Sequence, residues 1–171
     1  DGHGSIQVLD INQTHHALLL EQAQPGFLLK EHHPQKIEAT IQIYANVVKA
    51  LATRPLPTQN NHAHMRQWCQ AIDRISDSRV DLKFINKARA LRFMLLNSVE
   101  HEYVCHADLH LENIIQQGEN WVVIDPKGIL GEMAFEAAAF DLISKEEIKD
   151  TEHLSSLITT RVTLLADALA L

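Results

Sequence analysis

Cysteine is scarce: Cys69 and Cys105 are the only two in 171 residues, and each lies among apolar neighbours. That argues against a disulfide framework and for two buried free thiols in a reducing, cytoplasmic setting. Long apolar runs are also missing, since the longest, around "ALLLEQ" (17–22), falls far short of the roughly eighteen residues a membrane span needs. No charged-then-apolar leader opens the chain either, so no membrane or export route is expected. Basic residues are outnumbered, 15 Lys and Arg against 22 Asp and Glu, and they form no cluster. A nucleic-acid footprint wants a basic face, so that class of partner is set aside. Internal repeats and low-complexity stretches are absent as well. What remains is 46% hydrophobic residues in a chain the size of one ordinary domain, enough for a sizeable core.

The pattern along the chain changes period twice. "SIQVLD" (5–10) and "HALLLEQ" (16–22) read as two strands around the turn-prone "NQT", and "AQPG" (23–26) reads as the start of a linker. Pro34 suits the first turn of a helix, in which Ile37, Ile41, Tyr44, Val48 and Leu51 recur every three or four residues through Ala52. After the Pro- and Asn-rich "RPLPTQNNH" (54–62), a second helix carries Met65, Trp68, Ile72 and Ile75, and a third runs from about Leu82 to Asn97. Phe84, Ile85, Ala88, Leu91 and Leu95 line one side of the third, and both helices are expected to pack on the first. Then come short strand candidates, "EYVCH", "NIIQQ" and "WVVID", the last two joined through Gly118-Glu119-Asn120. Helical pattern resumes after Met133 and again from His153, with Leu154, Leu157, Ile158, Val162 and Leu165 as the apolar stripe. The chain opens at Asp1 in a strand-like segment and stops in a helical one, which reads as a piece of a longer protein.

The chemistry concentrates in "HADLHLENII" (106–115). A three-residue hairpin loop would set Gln117 opposite Trp121 and Asn113 opposite Asp125, and cross-strand Cβ atoms lie roughly 4.5–5.5 Å apart. An amide oxygen and a carboxylate would then meet at the hairpin mouth. Hard oxygen ligands of this kind suit Mg²⁺, which completes its shell with water and substrate phosphates. Asp108 leaves the preceding strand close enough to face the same space. Asp-x-x-x-x-Asn, followed after a hairpin by Ile-Asp, is the spacing of a kinase catalytic loop and metal-binding loop. In that scheme Asp108 accepts the proton of the substrate hydroxyl, while Asn113 and Asp125 hold metal that bridges the phosphates.

With "HADLHLEN", "WVVIDPKGILGE" and "FEAAAFDL" in view, the chain resembles the aminoglycoside phosphotransferase superfamily, whose segments read H-G-D-x-H-x-x-N, I-D-P-K-G and G-D-P-A-x-D. The Ile-Asp-Pro-Lys-Gly form resembles its streptomycin 6-phosphotransferase and hydroxyurea-resistance kinase branch, as does the opening "DGHGSIQVLD…HHALLLEQAQPG". The resemblance implies an α+β, protein-kinase-like C-lobe, mostly helical with a small catalytic β-hairpin, preceded by a remnant N-lobe hairpin and hinge. Residues 1–26 would end the N-lobe and 27–171 would form the C-lobe. It further implies an ATP- and Mg²⁺-dependent O-phosphotransferase acting on a small-molecule hydroxyl, of the streptomycin type, that confers antibiotic resistance. Asp108 would be the catalytic base, Asn113 and Asp125 the Mg²⁺ ligands and His106 a support of the loop, with the hinge from Leu20 through Glu21 to Ala23 meeting adenine. Glu132 and Glu136 would offer carboxylates to a cationic substrate, although for Glu136 an anchoring role in the loop is the better expectation. Three departures stand out. Ala107 replaces a glycine, which an alanine tolerates only at negative φ; Glu132-Met133 replaces Asp-Pro; Glu136 replaces Asp. The glycine-rich loop and the phosphate-binding lysine of the superfamily have no counterpart, so residues 1–171 alone are expected to be inactive.

Two rivals follow from the same residues. His106, Asp108 and His110 alternate as in a metallohydrolase site with a transition metal and bound hydroxide, yet that reading leaves Asn113 without a role. A non-catalytic remnant is the other. The pairs His15-His16 and His32-His33, with His62 and His64, read as solvated surface, and Trp68 and Trp121 as core packing. Lys127 reads equally as a phosphate contact or a surface residue of the turn.

Overall fold

The computed structural model describes residues 4–53, 55–56, 61–75, 79–150 and 152–171; most of the stretch "RPLPTQNNH" therefore lies outside the described residues. Strands β1 (Val8–Asn12) and β2 (Ala17–Leu20) pair antiparallel as an isolated hairpin whose residues are all exposed. The expected linker is instead a strand, β3 (Pro25–Leu28), which pairs antiparallel with β5 (Ile114–Gln117). Its reason is local: Pro25 donates no backbone hydrogen bond and so suits a sheet edge, while Gly26 takes φ +76°, which lets the Ala23 carbonyl approach closely. The proposed boundary after Gly26 thus falls inside a strand.

Helix α1 (Ile37–Ala52) forms where the 3.6-residue period demands, but it starts later than Pro34, after a 3-10 turn at Leu29–His32. Its apolar face buries Ile41, Tyr44, Ala45 and Val48. Its main partner is α5 (Leu154–Leu169), with a smaller contact from the short helix around Glu136, rather than the second and third expected helices. The second expected helix is α2 (Met65–Cys69) followed by a 3-10 turn at Gln70–Arg74, so Ile75 lies beyond it. Helix α3 (Leu82–Asn97) has the expected limits, yet only Ile85 is buried. Phe84, Leu91 and Leu95 of its predicted inner face are exposed, and Trp68 is 45% exposed rather than core.

Strand β4 (Tyr103–Cys105) pairs with β7 (Ile129–Gly131), a strand the period does not announce because it is three residues long. Strands β5 and β6 (Asn120–Val123) form a hairpin, and β6 is extended on its far side by Ser5 and Ile6. Helix α4 (Met133–Ala137) is only five residues long. The buried stripe of α5 is Arg161, Leu165 and Leu169, rotated from the expected one, with Val162 exposed. Leu109, Leu111, Ile114 and Val123 join Tyr44, Phe140 and Leu165 in one apolar cluster, so the loop of interest is rooted in the core. No helix among the described residues is long and apolar enough to cross a membrane.

Candidate functional site

The loop from His106 to Asn113 leaves β4 and returns into β5, and six of its eight backbone N–H groups donate to a partner. The two oxygens of Glu136, a fully buried side chain, accept the N–H groups of His106 and Ala107. Burial pushes the Glu136 carboxyl up, opposed by those two donors. Glu136 therefore sits as the anchor that is the better expectation for it, its carboxylate beneath the loop and away from solvent rather than offered to a substrate. Asp141 does the same further on, accepting from Leu111 N–H at 3.1 Å while its carboxylate pairs with Lys30.

His106 uses both ring nitrogens. Nε2 lies 2.7 Å from the Ile124 carbonyl oxygen and Nδ1 accepts from Asp108 N–H at 3.3 Å, an arrangement that requires the proton on Nε2. Burial lowers the pKa of this imidazole, in keeping with the neutral form. A ring so committed has no lone pair left for a metal, and among the described residues no group of three or more His, Cys, Asp or Glu could hold one. The metallohydrolase arrangement finds no support in this geometry.

Ala107 sits at φ +65°, contrary to the expectation of negative φ. An L-residue there costs roughly 1–2 kcal/mol, and the Glu136 carboxylate on its N–H offsets part of that cost. The left-handed residue turns the chain so that the carbonyl of Asp108 points inward, where it accepts from Asn113 Nδ2 at 2.9 Å and from His110 N–H at 2.9 Å. Asn113 is buried, and its amide nitrogen is spent on the loop, which leaves Oδ1 as its free coordinating atom.

The hairpin register differs by one residue from the expected one: Gln117 faces Asn120 and Ile114 faces Val123. Gly118 at φ +60° allows a two-residue turn, tighter than the assumed three. The Asn113 carbonyl consequently accepts Ile124 N–H at 3.0 Å, and Asp125 lies one step past the ladder, at φ +56°. The aspartate is held from the other side by Lys127, whose Nζ is 2.9 Å from Asp125 Oδ2 and 3.4 Å from Asp108 Oδ2. Backbone Lys127 N–H donates to the His106 carbonyl at 2.8 Å, tying this turn to the loop after β4. The ammonium beside Asp125 holds its carboxyl below the usual range and is itself raised by the pairing. Asp108 and Asp125 thus share one cation at an exposed mouth, and Asn113 is tied to the Asp108 backbone. Hard oxygen donors of this kind, at a spot that already accommodates positive charge, fit Mg²⁺.

The other predicted residues are placed as follows. Leu20 ends β2, Glu21 N–H donates to the Gln7 carbonyl, and Ala23 lies between them and β3. Glu132 is the N-cap of α4, half-buried, its pKa raised by burial and by the charge of Glu102. Histidines expected at the surface are engaged: His64 caps α2 and pairs with Glu102, His62 Nδ1 is 2.8 Å from the Gly128 carbonyl, His33 is buried, and His32 meets Trp121 edge-on. Gln117 escapes sequence reasoning outright, since a glutamine before a hairpin turn carries no signal of what it will touch.

The family model described as aminoglycoside/hydroxyurea antibiotic resistance kinase matches residues 1–171. A streptomycin 3''-kinase from Klebsiella pneumoniae is 29% identical over 141 residues, covering 81% of this chain and 51% of that protein. The chain therefore spans about half the length of that relative. Among solved structures, a choline/ethanolamine kinase family protein from Mesorhizobium loti superposes with a TM-score of 0.65 at 10% identity, covering 96% of this chain and 63% of that one. A thermostable aminoglycoside phosphotransferase APH(4)-Ia, in a ternary complex with ADP and hygromycin B, gives a TM-score of 0.64 at 17% identity, covering 96% and 61%. At these identities the likeness establishes the fold, which is protein-kinase-like.

Proposed function

Since the chain belongs to the aminoglycoside/hydroxyurea antibiotic resistance kinase family, we propose that it forms the catalytic C-lobe of an ATP- and Mg²⁺-dependent kinase that phosphorylates a hydroxyl of an aminoglycoside-type antibiotic. The observation that carries this reading is the pair Asp108 and Asp125 gathered around one ammonium, with Asn113 tied to the Asp108 backbone. Asp108 orients the acceptor hydroxyl and takes its proton as the oxygen forms its bond to the γ-phosphorus and the bond to ADP breaks. Asn113 and Asp125 hold the Mg²⁺ that, when bound, neutralises charge on the phosphates. His106 keeps Asp108 in place through its backbone N–H. Leu20, Glu21 and Ala23 lie in the segment proposed to meet adenine, and Glu132, beside Glu102, is the carboxylate proposed for a cationic group of the acceptor. The streptomycin-like acceptor is favoured by the streptomycin 3''-kinase relative.

The test is Asp108→Asn in the whole enzyme, followed as ADP release with streptomycin as acceptor. Transfer is expected to fall about 10²- to 10⁴-fold while the unfolding midpoint stays unchanged. Near-normal turnover would remove Asp108 from the mechanism.

A further inference from the structure

Within β3-β5-β6, one side chain joins the metal hairpin to the segment ahead of β3. Gln117, the last residue of β5, donates from Nε2 to Glu21 Oε1 at 2.9 Å and accepts Gln24 N–H on Oε1 at 2.8 Å. Next to it Gly118 N–H donates to the Gln24 carbonyl at 2.6 Å. Both backbone groups of Gln24 are therefore held by the hairpin, while Glu21 N–H is held by Gln7. Between these clamped ends, Gln22 and Ala23 make no hydrogen bond among the described residues. Their peptide groups are the ones left to pair with a ligand.

We infer that Gln117 is a positioning residue for nucleobase recognition: its amide fixes Glu21 and Gln24 so that the Gln22 and Ala23 peptides are presented to the base in a set relation to Asn113 and Asp125. This rests on the kinase reading above. Only an amide performs both halves of the contact, because the same side chain must donate to a carboxylate and accept from a peptide N–H. Since β5 also carries Asn113 at its root, base and phosphates are referred to a single strand.

Calorimetric titration of the whole enzyme in Mg²⁺ with ATP, and separately with inorganic tripolyphosphate, tests it. Gln117→Ala is expected to weaken ATP about tenfold, the loss of roughly one well-made hydrogen bond, and to leave tripolyphosphate affinity unchanged. The exchanged pair Glu21→Gln with Gln117→Glu, which restores an amide facing a carboxylate, is expected to recover ATP affinity. Gln117→Glu alone, which sets two carboxylates face to face, is not. Unchanged ATP binding in Gln117→Ala, an equal loss for both ligands, or no rescue by the exchanged pair would overturn the inference while leaving the kinase reading intact. A wild-type whole enzyme that binds neither ligand would overturn both.

Discussion

The loop around Asp108 and the helical pair α2–α3 are built on opposite principles. In the loop, polar contacts hold most of the backbone N–H groups: Glu136 takes two, Asp141 one, and His106 bridges Asp108 and Ile124. In α3, a regular helix carries Phe84, Leu91, Phe93, Met94 and Leu95 at or near its surface, and with α2 and α4 it borders an open apolar groove of about 620 Å³. The contrast teaches that local regularity and global constraint are separable. Helix α3 forms because its residues favour helix and Asp81 caps it through Lys83 N–H. The loop has no regular period at all, and its shape is imposed from α4 and β6.

The sharpest way to break this comparison is to cut the anchor. Glu136→Ala strands two buried N–H groups and is expected to cost about 3 kcal/mol, whereas Phe93→Ser on α3 should move stability by no more than about 0.5 kcal/mol. Urea unfolding of both variants checks the pair, and similar losses would show the loop to be no more constrained than the helix. Next, Ala107→Gly relieves the left-handed alanine and is expected to stabilise by about 1 kcal/mol, net of the greater freedom of glycine in the unfolded chain; a destabilised variant would mean that the strain is not where the φ angle puts it.

Acid gives a graded test. Burial, followed by the charges of Lys30 and Arg161, holds His33 below 6.5, and burial does the same for His106. The unfolded chain then binds more protons as pH falls, so the stability due to neutral imidazoles is complete above 6.5 and lost as pH drops through their folded values. Glu136, raised by burial, acts in the opposite sense. His33→Phe, which also removes two buried unpartnered ring nitrogens, is expected to flatten the fall of the urea midpoint below pH 6.5. An unchanged slope would assign the acid sensitivity elsewhere.

The smallest effect concerns the shared ammonium. Lys127→Met frees Asp108 and Asp125 from an exposed ion pair and should raise Mn²⁺ affinity about two- to fivefold, read by electron paramagnetic resonance. Unchanged or weaker binding would show that lysine and metal do not share the carboxylates.

Much of the molecule is legible in its amino-acid sequence. The period of Ile37 to Leu51 and the stretch Leu82–Asn97 set two helices within a few residues, and the spacing of Asp108 to Asp125 picks out two carboxylates that come to share Lys127. Two of the misreadings share a cause. Strand β3 and the positive φ at Ala107 depend on partners distant in sequence, namely β5 and Glu136, whereas the turn at Gly118 is a local choice between two and three residues that a glycine leaves open. Likewise α3 meets every local condition for an inward face, but burial needs a second surface, and α1 packs on α5 instead.

By itself, then, the sequence determined which elements form and which residue types bear the chemistry, because periodicity, caps and motif spacing act over a few residues. Only the tertiary structure decided that Glu136 lies under the loop rather than in front of it, that Gln117 reaches Glu21 and Gln24, and that Lys127 stands between two aspartates. Each of those depends on a side chain meeting a group that periodicity and motif spacing do not specify, and that proximity exists only once the core around Tyr44, Leu109 and Val123 has closed.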